Sequence, residues 1–199
     1  MSGRAETITI TACLTLGTNL NMEVEMRKIT AFCSVFLGVA AVGATVNTVN
    51  GQTDNVSPVF GVALPEGYRD WKLITVAHEA GMNNDIRGVL GNDIAVKAFR
   101  ENIRPFPDGA IIARLAYVFT SSPENDKVFP APQSYVAGPP TNVQISVKDS
   151  KKYAATGGWG YGQFENGIAN KSEAGVNACY TCHLKLDSSK DFVFSHYSP

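Results

Sequence analysis

Hydrophobic and polar positions begin to alternate at about Lys72. Leu73, Ile74, Val76 and Ala77 form a short β-prone run, and residues 86–90 (Ile86 to Leu90) form a second. The period then changes. Asn92-Asp93 offers a helix N-cap, and Ile94, Ala95, Val96, Ala98, Phe99 and Ile103 recur at the spacing of an amphipathic helix. Pro105 bars its continuation and Pro107-Asp108-Gly109 predicts a turn. Residues 110–120 make the strongest strand, dominated by Ile111, Ile112, Leu115, Tyr117, Val118 and Phe119. A loop with three prolines is expected over 121–133. Val143, Ile145 and Val147 then alternate with Gln144, Ser146 and Lys148, as in a half-buried strand.

Asp149-Ser150 is read as the cap of a short helix through Tyr153, and Gly157-Gly158 as a turn. Trp159, Tyr161, Gln163 and Phe164, interleaved with glycines, suit one more strand. A helix is expected over 173–186, with Phe192-Val193-Phe194 closing the chain. About five strands against two or three short helices give an α+β domain, mainly antiparallel sheet, with a C-terminal helix laid on it.

Upstream, Arg27 and Lys28 precede an apolar run over 29–42 and the small residues Gly43 and Ala44. That is the order of a secretory signal peptide, and the run falls short of the ~20 residues of a membrane span. The expected division is therefore a signal peptide at 26–44, a polar flexible lead-in at 45–65 and one domain at 66–199. Met26 stands where a start codon would open the signal, so residues 1–25 read as a mis-assigned extension. The chain of 199 residues has a formal net charge of −1 and 44% hydrophobic residues, which suits one ordinary domain. It has neither a basic run nor an aromatic-interleaved basic stripe, so nothing points to nucleic acid.

The chemistry lies near the C-terminus. Cys179-Tyr180-Thr181-Cys182-His183 is a C-x-x-C-H segment, the spacing of c-type haem attachment. On a helix Cys182 lies roughly 60° to one side of Cys179 and His183 roughly 40° to the other, so all three face one ligand. The thiols add to the haem vinyl groups and the histidine supplies an axial nitrogen. A zinc site needs about four ligands and a second pair, which the chain lacks. A redox dithiol belongs at a helix start near a βαβ unit, which is also missing. The other two cysteines, Cys13 and Cys33, fall before Ala44. A chain cleaved there keeps thiols only for its haem, which suits an oxidising, periplasmic compartment.

Further landmarks fall in order: Gly67-Tyr68-Arg69-Asp70-Trp71, Asp85-Ile86-Arg87, Asp108-Gly109, Ser146-Val147-Lys148-Asp149-Ser150 followed by Lys151-Lys152-Tyr153, then Trp159, Cys179 to His183, and Phe192-Val193-Phe194. In these the chain from residue 64 to 199 resembles the cytochrome P-460 / cytochrome c′-β family. The resemblance implies a β-rich, usually homodimeric fold with one haem c per chain. It also implies a five-coordinate iron on His183 and a small nitrogen-oxide ligand, nitric oxide or hydroxylamine, on the opposite side. Cytochromes P-460 oxidise hydroxylamine and carry a lysine cross-linked to the haem, a few residues after the Asp-Gly turn. Counted from Asp108-Gly109, that position is Arg114 here. Arginine stays protonated and is a poor nucleophile, so the resemblance does not carry the cross-link over.

The distal candidates are Arg114, Arg87 and His78. Arg114 could bond a haem propionate or a polar ligand, and the resemblance keeps an arginine near the pocket at Arg87. Ligation by Met82 or His78 instead defines an alternative, a six-coordinate electron-transfer cytochrome with an unidentified redox partner. His196 is the remaining histidine. Phe106, Phe119, Phe164, Tyr117 and Trp159 are aromatic candidates for the haem face or for the core.

Overall fold

The computed structural model describes residues 55–198. The expected signal peptide at 26–44 and extension at 1–25 lie outside the described residues, as do 45–54. Six strands form one antiparallel meander in the order of the chain: β1 Lys72–Glu79, β2 Asp85–Gly91, β3 Ile111–Ser121, β4 Tyr135–Lys148, β5 Trp159–Glu165 and β6 Ile168–Ala169. Helix α1, Asp93–Arg100, joins β2 to β3; the four-residue α2, Pro123–Asp126, sits in the proline-rich loop; α3, Glu173–His183, follows β6. The α+β class expected from the periodicities is the class observed.

Side chains alternate across a strand, so the pairing register sorts the sheet into two faces. Arg114 pairs with Val89 and Gln144, Ile112 with Gly91 and Ser146, and Ser146 in turn with Tyr161. These residues share the face covered by α1, α3 and the C-terminal segment. Its core gathers Ile74, Val89, Phe99, Phe106, Trp159 and Tyr161. The other face carries Ala113, Leu115, Ile145 and Phe164, with Val62 and Tyr153 packed on them. Gly160 is required there: a Cβ at that position would fall within 2.6 Å of the Tyr153 ring.

Four expectations need correction. Residues 55–65, expected to be flexible, form a tight loop docked on the sheet. Ser57 N–H donates to the Val62 carbonyl (2.8 Å), Ser57 Oγ donates to the Tyr161 carbonyl (3.2 Å), and Val62 is buried. Strand β4 begins at Tyr135, although Pro139 and Pro140 lie within it. The prolines are tolerated because β5 pairs with β4 only from Val143 onward and because the pairing with β3 shifts register around them, so they lie at a bulge on an edge. The helix expected after Asp149 is a single turn: the Asp149 carboxylate accepts from Lys151 and Lys152 N–H (3.1 and 2.8 Å), and a 3₁₀ turn follows over Ala154–Thr156. Finally, α3 stops at His183 rather than continuing to 186. Strand β6 is a two-residue addition, reached through Asn166-Gly167 with φ of 52° and 80°. That dipeptide is a hairpin signal already present in the sequence.

Asn92 ties the α1 start to the β3 start. Its Oδ1 accepts from Ala95 N–H (3.0 Å) and Ile111 N–H (3.1 Å), while Nδ2 donates to the Gly109 carbonyl (2.8 Å). An ordinary N-cap contributes about 1 kcal/mol. Asn92→Ala also strands the Ile111 donor and is expected to cost about 2 kcal/mol. Asp93→Ala, at an exposed ion pair with Lys72, is expected to leave the unfolding midpoint almost unchanged. Urea denaturation of the two variants checks the difference.

Candidate functional site

Helix α3 is short and mostly exposed, with only Val176 buried, and is capped by Ser172 Oγ accepting from Gly175 N–H (3.1 Å). It is held by a few specific contacts. Tyr180 OH donates to the Ala155 carbonyl (3.0 Å), and Cys179 and Tyr180 pack against the core of the helix-covered face. Cys179 is half-buried and Cys182 exposed. Burial pushes the Cys179 thiol up, which the nearby Arg114 charge partly offsets.

His183, the last residue of α3, is fixed more firmly. Its ring lies 4.8 Å from the Tyr161 ring and meets Phe194 edge-on at 4.9 Å. Nδ1 lies 2.6 Å from the Phe192 carbonyl oxygen. A carbonyl only accepts, so Nδ1 carries the proton and Nε2 keeps its lone pair. Burial pushes the imidazole below its ordinary value, against the opposing pull of the Phe192 carbonyl, and so favours this neutral form. A neutral ring with one nitrogen donating to a carbonyl and the other free is the form that binds a metal.

The Phe192 carbonyl faces His183 because Asp191 and Phe192 both adopt positive φ, 50° and 59°. Asp191 is held by Lys148. Lys148 Nζ lies 2.7 and 2.9 Å from the two carboxylate oxygens and also donates to the Gly157 carbonyl (3.0 Å). Asp191 Oδ2 further accepts from Phe106 N–H (2.8 Å). Both residues are buried, at 4% and 5% exposure. Sequence reading missed this pair. Lys148 falls at a polar position of an alternating strand, which predicts solvent, and Asp191 lies 43 residues away with no periodicity to mark it.

On the same sheet face lies a second charged cluster. Arg114 donates to Asp85 Oδ2 (3.0 Å) and Asn142 Oδ1 (3.2 Å); Arg87 forks onto both Asp85 oxygens (2.7 and 2.8 Å) and reaches Glu79 (3.2 Å). The structure thus brings together Arg87 and Arg114, with Asp85 between them. Burial and the neighbouring Arg87 charge pull the Arg114 guanidinium below its ordinary value, while Asp85 opposes.

The other candidates are scattered. His78 pairs with Ile86, out of phase with the Ala77–Arg87 pair, and so points to the opposite sheet face from Arg87. There it stacks on Phe119 (3.9 Å), which stacks on Tyr135 (4.3 Å). Met82 is fully exposed in the β1–β2 turn, and His196 is exposed beside Phe99 and Arg104. Phe164 and Tyr117 belong to the far face. Phe106 and Trp159 are fully buried, edge to face at 5.5 Å.

The residues present fit a haem. Among the described residues no cluster of three His, Cys, Asp or Glu could hold a bare metal ion. His183 presents one free imidazole nitrogen beside two thiols on the same short helix. Arg114 Nε and Trp159 Nε1, both on the helix-covered face, are buried nitrogens without a hydrogen-bond partner. Buried donors are normally satisfied, and a haem carries carboxylates that could satisfy Arg114 Nε.

Asp85 neutralises two guanidiniums, whereas either guanidinium alone neutralises Asp85. Asp85→Leu is therefore expected to cost about 3–5 kcal/mol, and Arg114→Met less than half as much. Denaturant titration of both variants at one pH measures the asymmetry.

No curated protein matches the chain. The family model described as Cytochrome P460 matches residues 65–195, which takes in the whole sheet, the Arg87–Asp85–Arg114 cluster, α3 and the Lys148–Asp191 tie. The chain belongs to the cytochrome P460 family, a family of haem cytochromes.

Proposed function

We propose that this cytochrome carries one haem c, thioether-linked to Cys179 and Cys182, with iron on His183 and the opposite axial position left to a small nitrogen oxide. The observation that carries the reading is the His183 ring, its Nδ1 bonded to the Phe192 carbonyl and its Nε2 free, at the end of a C-x-x-C-H helix. A bound haem supplies an iron that can ligate nitric oxide or hydroxylamine and exchange one electron. The protein's own part is to present a neutral imidazole and to line the site with Arg114. The placement of Met82 and His78 supports an open sixth position over a six-coordinate electron carrier. One is fully exposed, and the other stacks on Phe119 on the far face.

Ligand binding is favoured over hydroxylamine oxidation. The position of the cross-linking lysine is Arg114, and its guanidinium is engaged by Asp85 and Asn142. Export to the periplasm is part of the reading and is supported by the signal-like segment at 26–44 and by the sparing use of cysteine. A homodimer is part of it too, supported by Leu73 and Val76, which are exposed on the sheet's outer strand β1. Sedimentation equilibrium is expected to give twice the chain mass, and Val76→Lys to lower it.

Ferric and ferrous optical spectra, with and without nitric oxide, test the central reading. A five-coordinate ferrous spectrum that changes on nitric oxide addition is expected. A low-spin six-coordinate spectrum indifferent to nitric oxide overturns it. Cys179→Ser with Cys182→Ser is expected to abolish the haem that stays with the chain on denaturing gels. A strongly red-shifted ferrous Soret band in the wild type would show a cross-linked haem and contradict the role given to Arg114.

A further inference from the structure

The Lys148–Asp191 pair stands apart from the residues that would touch a haem, yet it controls one that does. Asp191 is immediately followed by Phe192, whose carbonyl is 2.6 Å from His183 Nδ1. Three bonds converge on the Asp191 carboxylate: two from Lys148 Nζ and one from Phe106 N–H. Lys148 is itself fixed at the β4 end by donating to the Gly157 carbonyl (3.0 Å), with its ammonium 5.1 Å from the Trp159 ring centre. The carboxylate is thus anchored to β4 and to the segment after α1, and the backbone leaves it in the left-handed region at Asp191 and Phe192. A non-glycine residue there is costly and persists only where its surroundings enforce it. Gly157 closes the arrangement from the other side: a Cβ on it would fall within 2.7 Å of Phe192 Cδ2.

We infer that Lys148 and Asp191 are positioning residues that set the donor strength of His183, by holding the Phe192 carbonyl against its Nδ1–H. This rests on the reading of His183 as the haem ligand. A stronger Nδ1–H···O bond gives the imidazole more anionic character, which strengthens the iron–nitrogen bond and favours the ferric state. Loosening the tie has the opposite effect.

The test uses the holoprotein. Lys148→Met with Asp191→Asn removes both charges together, so no buried charge is left unpaired, and asparagine tolerates positive φ. Gly157→Ala, at a φ of 67° that no alanine adopts without strain, displaces the Phe192 ring without removing either charge. Lys152→Met, an exposed lysine over Tyr153, is the control. Two readouts are taken: the iron–histidine stretching frequency of the ferrous protein by resonance Raman, and the ferric-to-ferrous ratio at a fixed ambient potential. Both altered proteins are expected to show a lower stretching frequency and a ferric-to-ferrous ratio reduced several-fold. The control is expected to match the wild type. If the double variant yields no folded holoprotein, Gly157→Ala decides on the same readouts.

Wild-type frequency and ratio in a folded, haem-loaded variant overturn the inference. Absence of covalent haem from the wild type, seen in its pyridine haemochrome spectrum, instead overturns the reading of His183 on which it rests.

Discussion

A buried lysine–aspartate pair holds the end of this chain where its chemistry needs it. Desolvating two charges is expensive, and the mutual attraction of a buried pair often does no more than offset that cost. The pair is therefore weak evidence for net stability and strong evidence for placement. Losing one partner leaves an uncompensated charge, at about 3–5 kcal/mol, so alternative paths for residues 192–198 are heavily penalised. Through Asp191 the pair fixes Phe192, and through Phe192 it fixes the proton on His183. The segment after α3 is thus determined by a side chain on β4, the strand whose other face packs Ile145 into the far core.

The sheet separates two tasks. Its far face is apolar, covered over Ala113, Ile145 and Phe164 by the loop at 55–65 and by Tyr153 and exposed at Leu73 and Val76. Its helix-covered face is apolar at the Trp159 end and charged at the Arg87–Asp85–Arg114 end, with Tyr161 and His183 between. Alternation along β2 and β3 places both guanidiniums on the helix-covered side and sends His78 and Tyr117 away from it. A one-residue slip of β2 against its neighbours would reverse that assignment, so the apolar residues that set the register also select the polar ones. The same register leaves Arg114 Nε buried without a partner beside the segment that would hold the cofactor.

Much of this was legible in the chain. The strands at 73–77, 86–90, 110–120 and 159–164 and the helix after Asn92 carry local signals of alternation and capping, and each appears where expected; the C-x-x-C-H segment lies on a helix, as its spacing suited. The failures have physical causes. The outer half of β4 was hidden by Pro139 and Pro140, which sequence reads as strand breakers, because only the assembled sheet shows that β5 does not reach them. The loop at 55–65 is docked by Phe60, Val62 and Leu64 and by two hydrogen bonds, Ser57 Oγ to the Tyr161 carbonyl and Tyr153 OH to the Phe60 carbonyl, whose partners lie 104 and 93 positions apart. Met82, His78 and His196 were indistinguishable from ligands as residue types. Only the fold shows that Met82 and His196 are exposed and that His78 stacks on Phe119 on the sheet face opposite Arg87.

The sequence by itself determined the fold class and the spacing of the two thiols and the histidine, because that spacing, helical period and strand alternation are properties of neighbouring residues. Only the tertiary structure decided which histidine tautomer faces the site, which arginines share an aspartate, and that Lys148 lies inside rather than in water. Those are contacts between residues tens of positions apart. Their geometry follows from strand register and from where a buried charge can find its partner.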